Sequence, residues 1–262
     1  MRIGIHAAQS GRLADPAAVR AVALAAEQVG YAAIWAGDEG CDRAPGAGHA
    51  DLRYDLDPFA VLAASAAVTS QVRLGAGVLA ATGHQPAVLA RALRSLDVMS
   101  EGRLAVALRA PADLLLVHLD LLVPPDVPRA QRPPVLVAAA TEEEVDLVAR
   151  RADGWVAEGL AIARFEDLRG HLGERARAHG RGADDLEVVV RADIALADAP
   201  LGGDRPVFAG HRDQVVDDLV AVGEAGADEV VLHVLGDLSL DELLGTYAEL
   251  AEAVGARVPV GR

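Results

Sequence analysis

The stretch from Asp57 to Leu104, DPFAVLAASAAVTSQVRLGAGVLAATGHQPAVLARALRSLDVMSEGRL, most constrains what this chain can fold into. Its pattern predicts an Ala-rich helix over Pro58 to Thr69 that runs into a short β-branched strand, Val72 to Leu79. A second helix is predicted to open near Pro86, and a new strand to begin after Gly102. Helix, strand, helix, strand with connections of a few residues leaves no place for hairpins. Successive strands must then run parallel, joined by helices that cover the sheet.

The rest of the chain keeps that rhythm. Arg2 to Ala8 alternates as a first strand, and Asp15-Pro16 reads as an N-cap with proline at the first helical position. Gly30 closes that helix, and Tyr31 to Ala36 predicts a second strand ending at Gly37-Asp38-Glu39. A loop over Gly40 to Asp55, carrying Cys41 and His49, is long enough to act as a lid. A fourth strand is predicted over Arg103 to Leu108, followed by one short Leu-rich helix, Asp113 to Val123, and a Pro-rich loop. Further strands are predicted at Pro134 to Ala139, Gly154 to Ala157, Glu187 to Ala195 and Glu229 to Leu235. Helices are predicted from a capping box at Thr141–Glu144 to Arg151, over Phe165 to His179, over His211 to Gly223 and over Leu240 to Val254. Eight strands alternating with helices in 262 residues predict a single α/β domain spanning residues 1–262, a (β/α)8 TIM barrel.

Composition narrows the partners. Hydrophobic residues make up 52% of the chain but aromatics only 3%, so the core must be built from Ala, Val and Leu. The formal charge is −15 and every one of the 24 basic residues is Arg. Such an acidic chain argues against a nucleic-acid partner or a basic membrane-binding face, because phosphate neutralisation needs clustered cations. Cys41 stands alone, which excludes a disulfide framework and a cysteine metal cluster, and the scattered histidines give no ligand spacing for a metal. The sequence shows neither a secretory leader nor an apolar run long enough to cross a bilayer, so the expected compartment is the cytoplasm.

In a parallel barrel the chemistry sits where the strands end at their carboxyl side. That rule selects His6 and Gln9, Asp38 and Glu39, the segment after Gly77, Arg109, Ala139 to Thr141, Trp155 and Glu158, Arg191 and Asp193, and His233. Gly75-Ala76-Gly77-Val78 would let a flat ring approach the strand backbone, or its glycines simply relieve crowding inside the barrel. Ala139-Ala140-Thr141 precedes a helix N-terminus, where free N–H groups can hold a phosphate. The three glutamates that follow, Glu142 to Glu144, would instead repel one and stabilise an empty helix end. Glu39 can act as acid or base if desolvation raises its pKa, or it is a solvated carboxylate at a loop start. His6 and His233 are further acid–base candidates or satisfied structural histidines.

The segment "DPF..LAA.AAVTS.VRLG.GV" followed by "HQPAVLARAL.SLDVMSEGRL" resembles the luciferase-like flavin- or deazaflavin (F420)-dependent oxidoreductases. "RIGIHAAQSG", "AAEQVGYAAIWAGD", "PPVLVAAAT", "ARRADGW" and "FAGHRDQVVDDLVAVGEAGADEVVLHV" extend the resemblance over most of the chain. It implies a (β/α)8 barrel that positions FMN or coenzyme F420 against a small organic substrate. Gly75, Ala76, Gly77 and Val78 would pack on the ring, often through a bulge or a non-proline cis peptide. Asp38, Arg109, Ala139, Ala140 and Thr141 would complete the cofactor site, and Glu39 and His6 would be the catalytic residues. The resemblance also marks departures. Glu39 stands where F420-dependent relatives usually have His, and Ala139-Ala140 replaces a glycine-rich turn. After strand four, Ala107-Leu108-Arg109-Ala110-Pro111 leads straight to a short helix where relatives carry a long insertion.

The residues do not choose between FMN and F420, and they leave open that neither is held. An F420 oligoglutamate tail would find Arg109, Arg129, Arg132 and Arg164. The alternative to an active oxidoreductase or monooxygenase is a degenerate, non-catalytic barrel that binds a ligand or pairs with a partner subunit. The Ala-rich face over Ala60 to Val68 permits close helix approach, and a homodimer is expected through it.

Overall fold

The computed structural model describes residues 1–38 and 55–258. In chain order the elements are β1 (Arg2–His6), α1 (Pro16–Val29), β2 (Ala33–Ala36), α2 (Pro58–Ala66), β3 (Arg73–Ala80), α3 (Pro86–Met99), β4 (Leu104–Arg109) and α4 (Ala112–Leu122). There follow β5 (Val135–Ala138), α5 (Glu142–Arg151), β6 (Gly154–Glu158), α6 (Ile162–Ala178), β7 (Glu187–Leu196), β8 (Ala209–Gly210), α7 (Arg212–Glu224), β9 (Glu229–Val234) and α8 (Leu240–Gly255). Among the described residues eight strands alternate with eight helices, β8 being a two-residue addition beside β7. The fold is a (β/α)8 barrel, as the alternation requires. Only Ala110 and Pro111 separate β4 from α4, so the insertion after the fourth strand is reduced as expected. Among the described residues no helix is long and apolar enough to cross a membrane.

Backbone proximity divides the chain into two units, Ala7–Val137 and Met1–His6 with Ala138–Arg262. In the first, β2 pairs with β3, β3 with β4 and β4 with β5, all parallel. In the second, β1 pairs with β9, β9 with β7 and β7 with β6, again all parallel. Strands buried on both faces read as near-continuous apolar runs, and Ala105 to Leu108 and Val188 to Val190 are buried throughout. Of the few aromatic residues, Trp155, Tyr247 and Phe165 are among the largest fully buried side chains.

Local chemistry sets most of the element ends. The Asp15 carboxylate accepts hydrogen bonds from Ala17 and Ala18 N–H ahead of α1, and Asp57 does the same for Phe59 and Ala60 ahead of α2. Gly30, at φ 86°, takes the left-handed conformation that ends α1. Reciprocal capping boxes open α5 (Thr141 and Glu144), α7 (His211 and Gln214) and α8 (Ser239 and Glu242). Several boundaries differ from expectation, α2 for one ending at Ala66 rather than Thr69. Helix α6 starts at Ile162 rather than Phe165, because its N-cap is Ala161, which offers no side-chain cap to announce it. The loop ahead of α7 ends in strand β8, held by long-range groups: Asp218 accepts from Phe208 N–H at 2.8 Å and takes both terminal nitrogens of Arg205.

At the amino ends of the first-half strands two long side chains tie the turn between α2 and β3. Glu27 accepts from the N–H groups of Ser70, Gln71 and Val72. Arg103 donates to the carbonyls of Ser100, Val72 and Thr69 and to the Thr69 hydroxyl. This end of a parallel barrel serves stability, and these bonds are of that kind.

Candidate active site

At the carboxyl ends of the first-half strands, side chains bond mainly to backbone. Gln9, buried, donates from Nε2 to the Gly37 carbonyl at 2.7 Å and accepts the Gly37 N–H at 3.1 Å. Both backbone groups of Gly37 are thereby occupied by one carboxamide. The next residue, Asp38, donates its N–H to the Val78 carbonyl, and its carboxylate accepts from Ala80 N–H at 2.9 Å. The same oxygen, Oδ2, lies 2.9 Å from Nε2 of His84, in the turn between β3 and α3. A carboxylate accepts only, so His84 carries hydrogen on Nε2. The Phe59 ring meets the His84 ring edge-on at 6.1 Å.

Strand β3 is irregular at this point. The Gly77–Val78 peptide is cis, and the pairing with β4 shifts register between Ala76 and Leu79. The small residues here make room for protein. A methyl on Gly75 would overlap the Trp35 indole, and one on Gly77 would lie 2.5 Å from the Ala107 methyl. A methyl on Gly37 would sit 2.7 Å from the Val78 nitrogen. Relief of crowding between strands therefore accounts for these glycines.

In the second half the strand ends carry a chain of ionic side chains set by register. Glu158 of β6 is the partner of Arg191 on β7, and Asp193 of β7 is the partner of His233 on β9. Arg191 donates from Nε to Asp193 Oδ1 at 2.9 Å and reaches Glu158 Oε1 at 3.5 Å and His233 Nδ1 at 3.0 Å. His233 Nδ1 lies 2.7 Å from Asp193 Oδ1. Burial pushes the Asp193 carboxyl up, but the hydrogen bond from His233 and the charges of Arg191 and His233 outweigh it and hold the group below its ordinary range. His6, at the end of β1 and buried, lays its ring against His233 with centroids 4.2 Å apart, and its carbonyl accepts from the Tyr247 hydroxyl. Beside this chain is a small recess of about 10 Å³, lined by Gly159, Leu160, Phe165, Arg191 and Phe208, among others.

The remaining expected residues fall as follows. Glu39 and the loop that begins at Gly40 lie outside the described residues. Arg109 ends β4 opposite Ala80 and is exposed. Trp155 is a core residue, its indole N–H donating to the Ala139 carbonyl at 2.9 Å and its ring stacked on Phe165. Ala140 and Thr141 donate their N–H groups to the Glu144 carboxylate, at 2.9 and 3.1 Å. Arg109, Arg129 and Arg132 belong to the first unit, whereas Arg164 is in the second, 3.6 Å from Glu142. His84 was not among the residues chosen by the strand-end rule. Its signal was the His-Gln-Pro run that opens α3, beside an Asp38 that lacks the usual histidine neighbour.

A flavin or deazaflavin fits these residues at one end only. Asp38 and His84 supply hydrogen-bonding groups of the kind a ring edge needs. At the turn before α5 the N–H groups that a phosphate would use are held by Glu144.

Fold and site together define a parallel barrel with carboxylate–imidazole pairs at its strand ends. The model of the luciferase-like monooxygenases matches residues 2–108 and 117–201, and the chain belongs to that family. The match is interrupted over 109–116, where β4 passes into α4, and stops at 201. The Mycobacterium tuberculosis (strain H37Rv) protein Rv0953c, itself uncharacterised, is 29% identical over 222 residues, covering 66% of this chain and 77% of its own. The monooxygenase RslO1 from Streptomyces bottropensis superposes with a TM-score of 0.74 at 18% identity, over 98% of this chain and 99% of that one. An F420-dependent secondary alcohol dehydrogenase, solved with an F420–acetone adduct, superposes with a TM-score of 0.74 at 15% identity, over 97% and 98%. At such identities the superpositions establish the fold alone.

Proposed function

We propose that this chain is an oxidoreductase that works with a flavin or deazaflavin on a small organic substrate. The observation that carries the reading is the Asp38–His84 pair, which sits at the strand ends beside the irregular Gly77–Val78 segment in a member of the luciferase-like family. The bound cofactor would supply hydride transfer or, as reduced flavin, activation of O2. The chain's own residues do the rest. Asp38, fixed by Ala80 N–H, orients His84, and Gln9 locks Gly37 so that the β2 end cannot drift. Two solved relatives in fold are described as F420-dependent, and one as holding a modified FMN with riboflavin as substrate, which supports this class of cofactor without selecting one. The closed turn before α5 favours a cofactor whose phosphate is held elsewhere.

The test is a fluorescence titration of the purified chain with FMN, reduced FMN and F420. Saturable micromolar binding of one of them is expected, weakened about tenfold by Asp38→Ala. No saturable binding of any would refute the reading. We further propose a homodimer through the outer face of α2, on which Ala60, Ala64 and Ala67 are exposed.

A further inference from the structure

We propose that Glu144 is a built-in anion that fills the phosphate seat at the N-terminus of α5, so that this chain selects an uncharged, phosphate-free ring over its phosphorylated form, riboflavin over FMN. This deepens the oxidoreductase reading and rests on it. One carboxylate oxygen, Glu144 Oε2, accepts from Ala140 N–H at 2.9 Å, from Thr141 N–H at 3.1 Å and from the Thr141 hydroxyl at 3.1 Å. Donors converging in this way on one oxygen are what a helix end offers to a phosphate. Here the chain supplies the oxygen itself. The rest of the turn is also spent: Ala139 donates its N–H to the Val156 carbonyl, and its own carbonyl accepts from the Trp155 indole. Further into the helix, Glu144 N–H goes to Thr141 Oγ1 and Val145 N–H to the Thr141 carbonyl. That leaves this helix start the N–H groups of Glu142 and Glu143, whose own side chains are exposed carboxylates.

A phosphate monoester brings a charge of about −1.5 to −2 at neutral pH. To reach the turn it would have to expel Glu144, break the capping box, and then sit among three carboxylates of the first helical turn. A ring carrying a neutral polyol meets neither cost. Among the described residues the other helix starts offer no better seat. In the second half α7 and α8 open with capping boxes of their own. Helix α6 lacks a side-chain cap, but β6 ends in Glu158 ahead of it and its first-turn Arg164 lies 3.6 Å from Glu142. In the first half Asp15 and Asp57 hold the starts of α1 and α2, and α4 has Asp113 in its first turn. The Gln85 carbonyl takes the N–H groups of Val88 and Leu89 in α3. Arg109 is exposed at the end of β4, where water weakens any ion pair with a phosphate. FMN is therefore expected to bind through its ring alone, against the field of these carboxylates. Glu144 determines specificity and takes no part in the chemistry.

The test compares riboflavin with FMN by fluorescence titration of the purified chain at low salt, where charge repulsion is least screened. FMN is expected to bind at least about fivefold more weakly, and Glu144→Ala, which keeps Thr141 as the N-cap, should bring the two Kd values within about twofold. A smaller difference in the unmodified chain, a preference for FMN, or a difference that survives Glu144→Ala overturns the proposal. Should Glu144→Ala fail to fold by circular dichroism, Glu142→Gln with Glu143→Gln leaves the capping box intact and should narrow the difference by about half, and no narrowing overturns it. A second measurement needs no flavin. In 1H–15N spectra titrated with inorganic phosphate, the Ala140 and Thr141 amides should stay in place in the unmodified chain and shift saturably in Glu144→Ala. Saturable shifts in the unmodified chain overturn the proposal, as do unmoved amides in the variant. If neither flavin binds while the phosphate titration gives the expected result, the oxidoreductase reading falls alone and the closed seat stands.

Discussion

The two halves of this barrel finish their strands by different means. In the first, side chains bond to backbone: Gln9 to Gly37 and Asp38 to Ala80, with small residues packed so closely that a single methyl would collide. In the second, side chains bond to one another across registered strands, Glu158 to Arg191 to Asp193 to His233. Backbone bonds hold geometry whatever the protonation state, whereas an imidazole between a carboxylate and a guanidinium changes its bonding when one proton moves.

This contrast can be broken first where the second half is tied by charge. Asp218, with its carboxylate nearly buried, pairs with Arg205 and accepts from Phe208 N–H, and Asp218→Ala removes both interactions, leaving Arg205 only its bonds to carbonyls. We expect a loss of about 3–5 kcal/mol in denaturant unfolding, the cost of removing one partner of a buried ion pair. A smaller loss would mean that the loop before α7 refolds around water. In the first half, Gly75→Ala forces a methyl against Trp35, and overpacking of this kind costs about 1–3 kcal/mol. By contrast Gly159→Ala in the second half meets nothing within 4 Å, and only its φ of 62° opposes the change, at about 1 kcal/mol. Comparing the two melting curves isolates packing from backbone conformation.

Burial raises the Glu27 pKa, but hydrogen bonds from Val72, Ser70 and Gln71 outweigh it and bring the group from 4.5 to about 2. Because the folded value is depressed, its contribution is complete above the unfolded value and is lost as pH falls through about 2. Unfolding free energy should therefore decline between those values, and Glu27→Gln should flatten that decline. An equally steep curve in the variant would assign the acid sensitivity elsewhere, Asp193 in the second half being the next candidate because its pKa is also lowered. The smallest effect on stability is expected from Ala67→Arg, at an exposed position after α2. Light scattering should report monomer with unfolding unchanged, and a dimer that persists would exclude this face. Exposed Val88, Val98, Met99, Val117 and Leu121 on α3 and α4 of the same half would then be the surface to alter.

Much of the architecture was legible from neighbouring residues. Asp15-Pro16, Gly30, Asp57-Pro58 and Thr141–Glu144 mark element ends because capping is satisfied within four residues of chain. Helix α6 escaped by three residues because Ala161 caps with backbone alone. The site was less legible. Strand-end counting found Asp38, Arg191, Asp193 and His233 as separate candidates, yet missed His84, which lies in a turn beyond the strand and meets Asp38 only in space.

The sequence by itself determined the alternation of parallel strands and helices, the Ala/Val/Leu core and the family, since each follows from local pattern and composition. Only the tertiary structure decided which polar groups meet. Residues 40 positions apart, Asp193 and His233, become partners through the register of β7 against β9, and the glycines of β3 prove to accommodate Trp35 and Ala107. Register is a property of two strands together, so no single stretch of chain contains it.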